Sequence, residues 1–480
     1  MAVLEEHGYF WWSDEQILDG HLAPNNAVPG FLTIGDDGMA HLDLHGVLTK
    51  AENALSAMFS RASVDEKQII GILKTSDKHV MLWELARNGS HAASRGISFE
   101  SYFAFQTLVG SEPFQKTTNI AFSGFKVNLN GFENWLRLGG ISSRRTKVSF
   151  AAKAKIPARR NYSLANGSAS IIYGLKSPWG LEQYRHELHI EETAHFEYRA
   201  RKNLTFNQIT NQVSSFSDLL VVLSGSSRSL DWPWLYVGRG KRKFIYQHFY
   251  SSSRNSSPAP KPFDHWIVFP SIAAKFGDLL SRWEKANDEL GTGVQLYVGT
   301  VKSDALHLEH KFVNLIWGIE VLHRSKNPET EQPSDFKVKI DRILSDIKIG
   351  RDKAWLKKRL ATAHEPSLKE RLVSTIETLS LPFEKTSLDD FCRICADLRN
   401  DISHFGGQRT FENYDELLQA LHDKTSALIY LYHAIILMEI GMDHESLHCI
   451  FLDSRHSGKI AEKFSIAGLN FDSEQNPGQI

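Results

Sequence analysis

The sequence predicts an α+β protein of separate domains: a β-rich half of sandwich or barrel type, then an all-α helical bundle. Three observations predict it. Short alternating segments crowd the first 250 residues. A Ser/Pro-rich stretch, SSSRNSSPAPKPF (251–263), then interrupts the chain. After it, apolar residues recur at helical spacing almost to the end. Strands followed by helices, unmixed, point to separate domains rather than a doubly wound sheet. The expected division is a β-rich domain over 1–250, a linker or loop over 251–263, a helical domain over 264–460 and a tail over 461–480.

In the β-rich part, FLTIGDDGMAHLDLHG (31–46) reads as a hairpin, two alternating runs around Asp36-Asp37-Gly38, where positive φ is accessible. HVMLWEL (79–85), SYFAFQTLVG (101–110) and FKVNLNG (125–131) continue the strand pattern. HFEYRAR (195–201) puts Phe196, Tyr198 and Ala200 on one face. Residues 204–225 switch to helical spacing. The linker has little to bury, which suits an irregular segment. Beyond it, 271–290 is amphipathic, and 305–322 carries the stripe Leu308, Phe312, Leu315, Ile316, Ile319, Leu322. Further helices are expected over 335–347, 352–363, 367–379, 387–404 and 414–440. The run Ala427–Met438, apolar on every face, belongs in the bundle core or a subunit seam. At 12 residues it is too short to span a bilayer.

The formal net charge of -1 removes any global basic field, so a polyanion partner would have to be held by local patches. Three cysteines in 480 residues argue against a disulfide scaffold and suit a reducing cytosol. The first residues, MAVLEEHGYFWW, lack the basic start and apolar run of a signal peptide.

The chemistry concentrates in DLRNDISHFGG (397–407). Ser387-Leu-Asp-Asp reads as the capped start of its helix and Gly406-Gly407 as its stop. Arg399 and His404 are five positions apart, so their Cα directions differ by roughly 140° and about 7.5 Å of rise separates them. Asn400 and His404, at i and i+4, share a face. Two copies of the helix facing one another across a twofold axis would bring both sets into one cleft. The residue types suit RNA scission. His404 can serve as general base on a ribose 2′-hydroxyl or as general acid on the leaving 5′-oxygen. Arg399 can hold the phosphate, and Asn400 can fix the imidazole tautomer. The 2′-hydroxyl is the nucleophile, so the chemistry needs no cofactor, and the products would be a 2′,3′-cyclic phosphate and a 5′-hydroxyl. The spacing alone is weak. About one R-x-x-x-x-H is expected by chance, and RLATAH (359–364) is a second match, without the asparagine.

RNDISH, late in a helical region, resembles the signature of the HEPN superfamily of ribonucleases. HKFVNLIWGIEVLH (310–323) would be that domain's first helix, where an acidic residue, here Glu320, is common. GFLTIGDDGMAHLDLHG, IIGILKTSDKHVMLWEL and FKVNLNGFENWL resemble the N-terminal domain of ApeA-type bacterial anti-phage proteins, which end in a HEPN domain. The resemblance covers most of residues 1 to 450. It implies a cytoplasmic bacterial endoribonuclease of abortive infection, active as a homodimer or higher even oligomer, with Arg399, Asn400 and His404 at the active site. It also implies an N-terminal half that senses a phage-derived trigger or restrains activity, and host tRNA or mRNA as target. The alternative is a non-catalytic HEPN-like module that binds nucleotide, RNA or protein.

Other clusters carry their own expectations. In DKAWLKKR (352–359), Lys353, Lys357, Lys358 and Arg359 are candidates to grip RNA. The segments 142–160 and RGKRK (239–243), the latter beside the aromatic WPWLY (232–236), suit either phosphate tracking or solvated loops. Cys392 and Cys395 with His448 and Cys449 form a zinc alternative, set against two small buried hydrophobes. His186, His189 and His195 suggest metal ligation, or a polar surface, which fits RHELHIEETAH better.

Overall fold

The structure, a computed structural model, describes residues 2–48, 68–91, 98–114, 120–176, 189–225, 230–238, 240, 243–251, 261, 265–303, 305–328, 334–360, 363–405 and 413–472. They form two compact units, Met1–Ser217 with Arg228–Phe263, and Asp218–Ser227 with Asp264–Ile480. The β-rich half and the helical half predicted from the sequence are both present. The division departs from a single cut near 250, because residues 218–227 group with the helices. Segment 251–263 lies almost wholly outside the described residues.

In the first unit six antiparallel strands close into a barrel. They are β1 (Ala2–Trp12), β2 (Val28–Gly35), β3 (Ala40–Leu44), β4 (Ile69–Leu73), β5 (His79–His91) and β6 (Phe99–Gly110). Round the ring, β1 pairs β2 and β4, β3 joins β2 to β6, and β5 joins β4 to β6. The β2–β3 turn is the hairpin read from Asp36-Asp37-Gly38. Gly38 has φ 78°, and Asp37 Oδ1 accepts from Met39 N at 3.0 Å. Alternation turns Phe10, Leu32, Ile34, Leu42, Leu82 and Tyr102 inward. Glu100 is buried with them. It accepts from Leu48 N (2.9 Å), Tyr102 Oη (3.0 Å) and Arg87 Nη2 (3.2 Å), which offsets the cost of taking a carboxylate out of water.

Strand β6 forks. Glu100–Ala104 pairs with β3, whereas Gln106–Gly110 pairs with β14 (Phe244–Tyr250). The sheet runs on from β14 through β13 (Trp234–Val237), β7 (Phe122–Val127), β12 (Glu191–Leu204) and β11 (Gly167–Lys176) to β10 (Arg160–Ser163). A short helix α1 (Phe132–Leu136) and an exposed hairpin of β8 (Ile141–Arg145) and β9 (Phe150–Ala154) lie between β7 and β10 in sequence. Strand β7 stops at Val127, short of the expected 131, because Gly131, at φ 73°, opens α1. Phe196, Tyr198 and Ala200 are buried as their alternation requires. Phe216, from helix α2 (Phe206–Ser224), stacks on Phe196 with ring centroids 3.4 Å apart. The opposite face of this sheet carries Lys126, Glu197 and Arg199 beside Trp234 and Tyr236.

The second unit is helical: α3 (Phe269–Ile272), α4 (Phe276–Lys302), α5 (Leu308–Lys326), α6 (Ser334–Ser345), α7 (Gly350–Leu360), α8 (Leu368–Glu377), α9 (Lys385–Phe405), α10 (Tyr414–Glu439), α11 (His444–His448), a π turn (Cys449–Asp453) and α12 (Ser457–Ile466). The apolar run 427–438 is the centre of the bundle, with Leu428, Leu431, Tyr432 and Ile436 wholly buried on α10. Gly318 on α5 lets α10 approach, since a Cβ there would collide with the Tyr432 hydroxyl. The segment expected as a tail from 461 belongs to this unit as far as it is described. Phe464 and Leu469 are fully buried, and Phe471 stacks on Phe383 at 4.9 Å. Two apolar residues past a glycine turn are too short a pattern to read as core. Among the described residues no helix is long and apolar enough to cross a membrane.

Candidate active site

Helix α9 starts at Lys385, two residues before the serine expected to cap it. Ser387 instead donates to Glu384 O (2.9 Å) and accepts from Asn470 N (3.1 Å), tying the helix start to the segment after α12. Leu388, Phe391, Cys392, Cys395 and Leu398, at i, i+3, i+4, i+7 and i+10, form the buried face. That face fixes the rotation of the helix. It leaves Asn400 and His404 exposed on the other side and Arg399 half-buried at the edge. The expected stop, Gly406-Gly407, lies outside the described residues.

Arg399 is held from two directions. Its Nη2 donates to Glu320 Oε2 on α5 at 3.4 Å, and its Nη1 donates to Asn400 Oδ1 at 2.9 Å. The second contact changes the geometry drawn from helix angles. The Cα positions of Arg399 and His404 point apart, but the long side chain carries the guanidinium to Asn400, which shares its face with His404. Asn400 therefore gives its carbonyl oxygen to the arginine.

Glu320 begins a ladder of alternating charge. Its Oε1 accepts from Arg324 Nε (3.3 Å), one turn further along α5. Arg324 Nη1 reaches Glu365 Oε2 (3.1 Å), and the same oxygen accepts from Arg371 Nη2 (2.7 Å). Arg371 is 5% exposed and also donates from Nε to Pro366 O (2.9 Å). Burial works against the charge of Arg324, yet Glu320 and Glu365 together raise its pKa. His323 goes the other way. Burial first, then Arg371 and Arg324, hold its imidazole below the ordinary value. The Glu320–Arg324 pair was legible as an i, i+4 match. Glu365 and Arg371, from another segment, gave no sequence signal.

The candidates for RNA grip occupy α7, a helix with no buried residue. Lys353, Lys357, Lys358 and Arg359 are all exposed. Trp355 is 61% exposed, with the Arg359 guanidinium 6.0 Å from its ring centroid. RLATAH is not one helical motif: Arg359 is on α7, which ends at Leu360. His364 is half-buried beyond it, its ring 5.7 Å from Phe336.

Cys392 and Cys395 are wholly buried. Burial pushes both thiols up, Cys395 to about 12. Cys449 is exposed, and His448 Nε2 contacts Ser380 O at 2.9 Å. No group of three or more His, Cys, Asp or Glu positioned to hold a metal ion is found among the described residues, so the structure does not gather Cys392, Cys395, His448 and Cys449 into one ligand set. His186 lies outside the described residues. His189 is exposed beside Glu191 (4.0 Å), and burial with Lys126 and Lys176 pushes His195 down to about 4.

Two family descriptions match the chain. "ApeA N-terminal domain 1" matches residues 5–283, more than half of the 480. "Apea-like HEPN" matches residues 313–446, which include Glu320, Arg399, Asn400 and His404. No curated protein sequence matches the chain.

Proposed function

The chain belongs to the ApeA N-terminal domain 1 family and carries an Apea-like HEPN domain, and from that premise we propose that it is an anti-phage endoribonuclease cutting RNA through Arg399, Asn400 and His404. The observation that carries the reading is the attachment of Arg399 to Glu320 and Asn400. It presents a permanent cation on the helix face that bears His404.

His404 takes the proton from a ribose 2′-hydroxyl as the 2′-oxygen attacks phosphorus. The bond from phosphorus to the 5′-oxygen breaks, and that oxygen leaves with a proton delivered by the His404 of a second copy. Arg399 offsets the charge that builds on the phosphoryl oxygens. Pairing supplies base and acid from two equal chains, which a single helix does not. Such an enzyme harms its own host when unrestrained, so the N-terminal unit is its regulator, released by a phage-derived signal.

The test uses purified protein and a labelled RNA, with extract of phage-infected cells as the source of the signal and the same extract without the protein as the background. The expected products end in a 2′,3′-cyclic phosphate and a 5′-hydroxyl. Arg399→Ala and His404→Ala each abolish cutting alone, and His404→Ala chains exchanged into the wild type lower cutting more steeply than simple dilution, because a mixed pair keeps only one of the two imidazoles. Loss in simple proportion to the wild-type fraction means that the chains do not share a site. Intact RNA with the wild type would favour the second reading, a non-catalytic binding module, to which the engagement of Arg399 by a carboxylate also lends support.

A further inference from the structure

In the first unit, the sheet face opposite Phe196 gathers charge from four separate segments. Strand register sets it out. Glu197 on β12 lies opposite Lys126 on β7, which lies opposite Trp234 on β13. Two residues along, Arg199, Gly124 and Tyr236 are aligned in the same way. On a pleated sheet all of these side chains share one face. Arg159 joins from the segment before β10, donating to Glu197 Oε2 (2.5 Å) and Ser170 Oγ (2.9 Å). Arg199 donates to Glu197 Oε1 (2.7 Å). The Arg199 guanidinium is 3.9 Å and the Lys243 ammonium 3.6 Å from the Tyr236 ring centroid.

The balance of charge is uneven. Four cations, Lys126, Arg159, Arg199 and Lys243, surround one buried carboxylate, Glu197. Burial opposes ionisation of Glu197, but Arg199, Tyr236 and Arg159 hold its pKa below the ordinary value. Glu197 is therefore a fixed anion that aims two guanidinium groups. Lys243 shows the surplus. Partial burial, then Arg199, Lys126 and Arg159, hold its ammonium below the ordinary value against the pull of Glu197. His195, two residues before Glu197, is depressed by burial and by Lys126 and Lys176. A surplus of cations kept close together is relieved by an anion from outside. Guanidinium groups suit phosphate oxygens in particular. Beside them Trp234 keeps 37% of its surface exposed, a flat apolar ring next to phosphate-seeking groups.

We propose that this face of the first unit binds a single-stranded nucleic acid, its cations on successive phosphates and Trp234 stacked on a base. The surface is separate from the ribonuclease reading and does not depend on it.

The test is fluorescence anisotropy of the full chain with a labelled oligodeoxythymidylate of about 15 nucleotides, long enough for one sheet surface. It lacks 2′-hydroxyls, so no variant can cut it and the result is independent of any cleavage activity. Arg159 and Arg199 are left in place, because removing either would unpair the buried Glu197. Neutralising Lys126→Gln and Lys243→Gln together is expected to flatten the slope of log affinity against log salt by about 1.4, at about 0.7 per single-strand phosphate contact. Trp234→Ala is expected to weaken binding about 5- to 100-fold. Lys243→Gln alone, with about half the slope change, stands in if the double variant does not fold. Lys357→Gln with Lys358→Gln separates any contribution of α7. The proposal fails if the Lys126/Lys243 variant keeps wild-type affinity and slope. It also fails if thymidine monophosphate or inorganic phosphate displaces the strand at equal concentration, or if polyglutamate does so, which would assign an acidic protein to the face.

Discussion

Arg399 and Arg359 each stand five residues before a histidine, and the chain surrounds the two pairs differently. Arg399 projects from a helix whose other face is buried, and it is fastened to Glu320 and Asn400. Arg359 ends a helix that buries nothing, and its histidine lies past the helix end, against Phe336. Equal spacing thus yields one arginine fixed on the helix that carries its histidine and one pair that shares no element. A transition state is stabilised only by groups already aimed at it, so the catalytic role proposed for Arg399 rests on its fixation more than on the interval between the residues.

The sharpest way to break this contrast is to remove each histidine in turn. His404→Ala should lower the rate of RNA cleavage by about 10²- to 10⁴-fold, whereas His364→Ala should leave it within about twofold, as for a group that takes no part in the step. Equal losses in a single-turnover assay would erase the distinction. Next is the ladder behind Arg399. Arg371→Met leaves Glu365 half-paired in a buried place and should cost about 3 kcal/mol in urea unfolding. Arg359→Met, at the exposed end of α7, should cost less than about 0.5 kcal/mol.

Acid probes the cores instead. His248 in the first unit and His433 in the second are both held down to about 3 by burial. Their folded pKa lies below the unfolded value of about 6.5. Unfolded chains therefore bind more protons between those limits, and stability falls as pH drops through that window. His433→Gln should recover about 2 kcal/mol of the acid loss of the helical unit at pH near 4.5, read from urea midpoints at that pH and at pH 7. The smallest effect is local. Ser367 caps α8 in a reciprocal box with Glu370, and Ser367→Ala should cost about 1 kcal/mol of stability. Ser387→Ala, at the position first read as a cap, should loosen the 469–472 segment, seen as faster amide exchange there.

Much of the fold could be read in advance because its signals are local. Asp36-Asp37-Gly38 makes its turn from its own φ preferences. The stripe from Phe312 to Leu322 becomes the buried face of α5, and 427–438 becomes the bundle centre. The misreadings share a cause. Ser387 has a capping residue's chemistry, but its hydroxyl goes to Asn470, more than eighty residues later. Residues 461–472 hold too few apolar positions to show a period, yet Phe464 and Leu469 complete the core. Of the candidate site, Arg399, Asn400 and His404 were visible as residue types, and Glu320 through family likeness. The hand-off of Asn400 to the arginine was not, because it depends on how a flexible side chain bends.

By itself the sequence determined the elements and the reactive groups: which segments alternate, which are striped, and where a cation, an amide and an imidazole crowd one helix end. These follow from bonds and torsions within a few residues. Only the tertiary structure decided that β6 pairs with β3, β5 and β14, that Glu365 and Arg371 extend the Glu320 ladder, and that Lys126, Arg159, Arg199 and Lys243 meet around one carboxylate. Each of these unites groups far apart along the chain, and charge acts through space, over distances that no local pattern encodes.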